Sequence, residues 1–313
     1  MTFQEKEKNT TTTFQKFDHQ IGGHDRLLSV NDGSVVIKPC NDIEKEFYEN
    51  SVLHPDFAEW IPKYYGSLQL QGVQSSVTTD IASNEQKTIE NFIQSVKEEI
   101  SSQHANVTGA VCIENLLSSF KKPCIMDLKL GTQLWGEDAD DSKRQKMIQK
   151  ANKTTSGSIG IRIVGFQVYQ RSTDSYINFT KEDSYKATPD TVQSILSKFF
   201  TAEISNDHRR LIIERFLSDL ESYLKVLENQ EVRLISSSLF FVYEGDSDAL
   251  TEAIKKEQDE IKVDDINNVT DLKMIDFAHS FFRKGIGKDE GVLFGLRNTI
   301  NYFKGLSIEE KHH

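Results

Sequence analysis

Four ionisable residues interrupt stretches that otherwise look built for burial: Lys38 in SVVIKPC, Asp127 and Lys129 in CIMDLKLG, and Asp276 in KMIDFAHS. A charge carried into an apolar strand is costly unless it is paired, metal-bound or set at the edge of a cleft. Taken singly, each fits a strand end or a structural ion pair as well as a site. Their order says more: a lysine on an early strand, an Asp-x-Lys pair on a middle one, and an aspartate closing a late one. Phosphoryl transfer from a nucleotide needs such groups, with cations on the phosphates and a carboxylate on magnesium. In that chemistry Lys38 would neutralise ATP phosphate. Asp276 would hold Mg2+, a hard cation that prefers carboxylate oxygen and water.

A second constellation is basic. Lys143, Arg144, Lys146, Lys150 and Lys153 follow one another with no acidic residue among them, in a chain whose formal net charge is -11. The lysine spacings of three, four and three put all four on one face of a helix, with Arg144 off the main stripe. Glu137, Asp138, Asp140 and Asp141 precede them and suit a helix N-terminus. Like charges at these spacings disfavour a helix unless an anion compensates. Two readings stand: a solvated surface helix, or a seat for a ligand bearing several phosphates, where each charge-assisted hydrogen bond is worth roughly 1.5–3 kcal/mol.

The elements that must position these groups are legible in outline. Residues 1–16 read as a disordered arm, Thr- and Lys-rich with little to bury. Short strands at 27–30 and 34–38 flank the Asn31-Asp32-Gly33 turn, a helix starts at Asp42, and strands follow at 64–70 and 108–116. These form a small mixed lobe, 17–117. The larger lobe, 118–313, holds strands at 123–130 and 158–170, the latter paired with 175–179. Its clearest helix carries Ile213, Phe216, Leu217, Leu220, Leu224 and Leu227 at three- and four-residue intervals. The TTSGS segment at 154–158 reads as a turn, 246–268 as an acidic surface insertion, and a last helix begins near Gly291. The expected class is α+β, two-lobed, with a cleft between the lobes.

Composition narrows the alternatives. A pI near 5.3 argues against nucleic acid as a partner. No apolar run is long enough for membrane insertion and the polar start lacks a signal-peptide core, so the expectation is a cytoplasmic or nuclear monomer. Cys40, Cys112 and Cys124 are odd in number and have no CxxC spacing, which excludes a disulfide framework and a cysteine zinc site. There is no GxxxxGK[ST], no HRDxxxxN and no DFG, so neither a Walker loop nor an ordinary protein kinase is present.

PCIMDLKLG at 123–131 matches PxxxDxKxG, and the chain here resembles the inositol polyphosphate kinase family. QIGGH at 20–24, ENLL at 114–117, SSSLFFVYEG at 236–245, MIDFAHS at 274–280 and GVLFGL at 291–296 resemble that family's other blocks in order. The resemblance implies the family's two-lobed fold with an ATP cleft, ATP and magnesium as cofactors, and a small-molecule inositol polyphosphate as substrate. It implies that Lys38 contacts ATP phosphate and that Glu114, Asn115 and Leu116 form the adenine hinge. Asp127 would contact the ribose near the reaction centre, Lys129 would reach substrate and transferred phosphate, and Asp276 would bind the metal. Segment 132–157 would bind the inositol phosphate through Lys143, Arg144, Lys146, Lys150 and Lys153. Gln167 and His279 are further contacts on the same resemblance, or a surface strand residue and a satisfied core histidine. The GEDAD stretch and the QVYQ ending of the strand look most like the hexakisphosphate kinases. Multikinase or trisphosphate 3-kinase activity, and a non-catalytic inositol-phosphate sensor, remain as alternatives.

Overall fold

The computed structural model describes residues 14–16, 27–30, 33–69, 108–259 and 268–309. Two five-stranded antiparallel sheets carry the architecture. The first runs β1-β2-β3-β5-β4, from β1 (Phe14–Lys16), β2 (Leu28–Val30), β3 (Val35–Cys40), β4 (Tyr64–Gln69) and β5 (Gly109–Glu114). Residues 14–16 correct the expectation of an arm through residue 16, because they pair with β2 as an edge strand. Residues 1–13, the QIGGH block and the polar stretch after Leu70 lie outside the described residues.

The second sheet runs β11-β10-β6-β7-β8, from β6 (Pro123–Leu130), β7 (Ile161–Gln170), β8 (Ser175–Phe179), β10 (Ser238–Glu244) and β11 (Thr270–Ile275). Strand alternation gives it two unlike faces. Cys124, Met126, Leu128, Leu239, Phe241, Tyr243, Leu272 and Met274 are buried on one face. They share a core with α6 (Val192–Phe199), α7 (Asn206–Leu227) and α9 (Glu290–Glu309). The stripe of α7 packs as its spacing predicts, with Ile212 and Tyr223 also fully buried and Leu217 and Leu224 at its margin. The opposite face carries Asp127 and Lys129 toward the first sheet.

Between the sheets lies α1 (Asp42–Ser51), capped by the Asn41 side chain accepting from Glu44 N at 2.9 Å. Its Phe47 ring stacks on Phe277 at 4.1 Å and on Phe282 at 4.8 Å, so the first lobe's helix is packed into the second lobe. The remaining helices are α2 (Pro55–Ala58), α3 (Asp141–Asn152), α4 (Thr155–Ile159), α5 (Lys181–Ser184) and α8 (Ser247–Gln258); β9 (Val232–Arg233) and β12 (Phe281–Phe282) form a two-stranded ribbon. Two sequence expectations change here. The TTSGS turn is the short helix α4. The acidic insertion begins with α8, where Ala249, Leu250 and Ala253, spaced one and three apart, are buried against β10.

Candidate active site

Asp276 follows directly on β11 and has a φ of +67°, a left-handed conformation that costs a non-glycine residue energy and persists only when its surroundings fix it. Three groups fix it. Lys38 Nζ donates to Asp276 Oδ1 at 2.8 Å, Lys129 Nζ donates to Oδ2 at 2.9 Å, and Glu44 Oε1 accepts from the next amide, Phe277 N, at 3.0 Å. Lys38 also donates to Glu44 Oε1 at 2.7 Å, and the Asn41 side chain donates to Ala278 O at 2.9 Å. Both lobes therefore meet on one carboxylate.

The balance of charge explains the protonation states. Burial opposes the charged form of Asp276, but Lys129 and Lys38 outweigh it and hold the carboxyl far below the usual carboxylate range. Burial likewise works against Lys38 and Lys129, and their carboxylate neighbours overcome it, so both ammonium groups are held more firmly than usual. Asp127 differs. Burial pushes its carboxyl up, Lys129 only partly offsets this, and one oxygen, Oδ1, has no hydrogen-bond partner. Lys129 gives its remaining donors to Ser236 O (2.8 Å) and Ser238 Oγ (3.0 Å), so all three N–H groups are engaged. Contact with a phosphate must displace one of them.

Register builds the adjoining wall. Asp127 stands opposite Gly165 and Lys129 opposite Arg162, with a bulge between Asp127 and Leu128 that leaves Val164 unpaired. The bulge shifts the alternation by one, so Arg162 faces the same side as Lys129. Arg162 is only 5% exposed, and its Nε and Nη1 have no partner; its guanidinium lies 5.7 Å from the Tyr185 ring. Lys150 is half-buried, and burial together with the nearby charges of Arg162, Lys181 and Lys129 makes it easier to deprotonate. With Arg162, Lys181 and Lys129 acting on Lys150 here, and Asp127 the carboxylate that feels Arg162, the neighbourhood is cationic and suits an anion.

Of the residues expected at the site, the fold brings together Lys38, Asp127, Lys129, Asp276 and Lys150. Helix α3 forms as expected, with Asp140 as its N-cap accepting from Lys143 N at 2.7 Å. Lys143, Arg144, Lys146 and Lys153 are exposed, and the Lys143 charge reaches His279. His279 is partly buried; burial and the Lys143 charge make it harder to protonate, against the pull of Asp138 at 3.7 Å. Gln167 stands opposite Ile125 and donates to Pro123 O at 3.4 Å, some four residues or ~13 Å along the sheet from Lys129. That sets it apart from the Arg162 recess.

At the hinge, Glu114 N donates to Lys63 O and Asn115 N to Ser34 O, while the Asn115 side chain ties Gly33 O to Leu117 N. Asn115 thus holds this segment to the first sheet. Sequence reasoning missed Arg162 and Glu44. Arg162 gave the same signal as Lys38, a charge inside an apolar strand, IRIVGFQVY. Glu44 looked like an ordinary acidic residue in a first helical turn.

Comparison with known proteins decides the lineage. The profile described as inositol polyphosphate kinase matches residues 110–304. The chain belongs to the inositol polyphosphate kinase family. It is 32% identical to the inositol polyphosphate multikinase of Schizosaccharomyces pombe over 94% of this chain and 98% of that one. With the inositol hexakisphosphate kinase 2 of Mus musculus it shares 31% identity, over 85% of this chain and 64% of that one. Among solved structures, the inositol phosphate multikinase Ipk2 of Saccharomyces cerevisiae in complex with ADP and Mn2+ superposes with a TM-score of 0.67 at 28% identity, covering 88% of this chain and 99% of that one. The α+β, two-lobed kinase fold is thereby established for this member. No helix among the described residues is long and apolar enough to cross a membrane.

Proposed function

We propose that this protein transfers the γ-phosphoryl group of ATP to an inositol polyphosphate in a magnesium-dependent reaction. One observation carries the reading: Lys38 and Lys129 each lie within 2.9 Å of an oxygen of Asp276, and the buried Arg162 nearby has no partner for its Nε and Nη1. The first group suits nucleotide phosphates, and the second suits an anionic acceptor.

Asp276 fits a metal ligand by its chemistry: an oxygen donor that Lys129 and Lys38 keep ionised at neutral pH, 39% exposed, at the mouth between the sheets. Among the described residues no cluster of three or more metal-binding side chains occurs, which suits magnesium held by one carboxylate, phosphate oxygens and water. The metal so held would neutralise charge on the transferring phosphate. Lys38, fixed by Glu44, would hold the nucleotide phosphates, with the base against Leu116. Lys129 would exchange one present acceptor for the transferred group, and Arg162, Lys150, Lys143, Lys146 and His279 would orient the acceptor. Rate would come mainly from alignment and charge neutralisation.

For the acceptor, a ring hydroxyl of a partly phosphorylated inositol is the reading we favour. Such a hydroxyl must lose a proton, and Asp127 would orient it or take the proton, a reading supported by its raised affinity for protons and its unpartnered Oδ1. The matched multikinases are spanned almost end to end, which supports the same choice. Inositol hexakisphosphate, giving a diphosphoinositol product, is the second reading, favoured by the Gln167–Gln170 ending of β7. Incubating the purified protein with labelled ATP, magnesium and a panel of inositol phosphates, then assigning products by NMR, separates them. Label on a ring hydroxyl is expected, and is lost in Asp276→Asn. Label only on hexakisphosphate would favour the second reading, and binding without transfer would make the protein a sensor.

A further inference from the structure

We infer that helix α9 clamps both ends of the excursion 132–159, and that Gly295 and Asn298 are positioning residues for the acceptor; the acceptor half of this rests on the function proposed above. The chain leaves the sheet at Gly131 and re-enters it at Ile161. At that gate Gly131 N donates to Gly160 O at 2.8 Å. Gly160 caps α4 with φ +68°, and a Cβ there would sit 2.9 Å from Gly295 Cα on α9. A Cβ on Gly295 would in turn collide with Gly160 O and press to 3.1 Å on Leu130.

One turn further along α9, the Asn298 side chain donates to Ile159 O at 2.9 Å. The outgoing end rests on the same helix: a Cβ on Gly291 would lie 2.7 Å from Thr132 Oγ1, and Val292 packs on Gly131. Within α3, only Ala151 is buried. The helix bearing Lys143, Lys146 and Lys150 has almost no core of its own, so its placement over the recess depends on where its ends are fastened. Helix α9 is fixed by Val292, Leu293 and Leu296, all buried in the main core.

The test uses Asn298→Ala and Gly295→Ala in the full chain, with two readouts. Asn298→Ala removes one hydrogen bond and should raise the acceptor KM about three- to tenfold while the ATP KM stays within about twofold. Hydrogen–deuterium exchange should rise across 141–159, while β6 and α9 keep their protection. Gly295→Ala should do the same more strongly; if it fails to fold, Asn298→Ala and Asn298→Asp decide the matter. Equal changes in both KM values, or unchanged exchange in 141–159, would overturn the clamp. If the unaltered protein phosphorylates no inositol phosphate, the proposed function fails, and the exchange result still decides whether the clamp exists.

Discussion

The reaction centre and the recess beside it are both charged, and they are built on opposite principles. At the centre the charges are cross-linked: Asp276 is shared by Lys38 and Lys129, and Lys38 is shared by Asp276 and Glu44, with only Asp127 Oδ1 left without a partner. In the recess the Arg162 Nε and Nη1 have no hydrogen-bond partner, the Arg162 charge acts on Asp127 from a distance, and the Lys150 ammonium is opposed by burial and by the Arg162 charge. A paired network fixes geometry and tolerates burial, while unmatched buried charge is retained at a cost to stability. The centre is organised before any ligand arrives. On the function proposed above, the recess would gain its missing charge from the acceptor.

The largest expected effect comes from breaking the centre. Asp276→Asn removes the shared carboxylate, which is also the proposed metal ligand, and should lower kcat by about 10²–10³-fold or more, the range for losing one preorganised electrostatic partner. The substitution also has a pH signature. The folded-state carboxyl is depressed, so its stabilising effect is complete above the unfolded value of roughly 3.9, declines as pH falls below it, and is lost only as pH falls through the much lower folded value. Chemical denaturation across pH 3–7 should therefore show the stability gap between the two proteins constant near neutral pH and narrowing only below about pH 4. A gap that did not narrow in acid would mean that the lysines do not act on Asp276 as drawn.

Much of this was legible in the sequence, because charges placed in apolar strands are conspicuous and strand alternation fixes their face. Lys38, Asp127, Lys129 and Asp276 were found that way. Gln167 was not placed well, since its distance along the sheet depends on register. Arg162 gave the signal of a charge in an apolar strand, but which face it shares with Lys129 depends on the bulge between Asp127 and Leu128, which no sequence pattern marks. Glu44 escaped notice for another reason: its partners, Lys38 and Phe277 N, are brought to it only by the packing of α1 between the lobes. Helix α8 hid behind its acidic composition, although Ala249, Leu250 and Ala253 mark a buried face.

A paired set of substitutions sharpens the contrast through the sign of the stability change. Glu44→Gln weakens a nearly fully buried partner of Lys38, and should cost about 1–3 kcal/mol of stability together with a fall in kcat/KM for ATP. Arg162→Met removes an unmatched buried charge, and should leave the thermal midpoint unchanged or raise it by about 2–4 °C per kcal/mol gained. Yet Arg162→Met should lower kcat/KM for the acceptor by about 10–100-fold, the worth of one charge-assisted hydrogen bond to phosphate. Calorimetry and steady-state kinetics on the two variants check this. A destabilised Arg162→Met would mean that the guanidinium is a structural member after all.

The smallest effect tests which face of α3 looks into the recess. Lys150 points to Arg162, and at about 100° per residue Lys143 and Lys146 lie within about 40° of it, whereas Arg144 is turned about 120° away. Lys150→Ala should raise the acceptor KM by about tenfold, because its half-buried ammonium is poorly screened. Arg144→Ala should change it less than about twofold, as expected for a solvated cation contributing only to the general field. Salt separates the two further: raising ionic strength should erase the Arg144 difference and leave most of the Lys150 one, since exposed charges are screened within a Debye length of about 8–10 Å. If both variants behaved alike at low and high salt, the helix would be acting as a diffuse basic surface, and the distinction between recess and exterior would fail at this element.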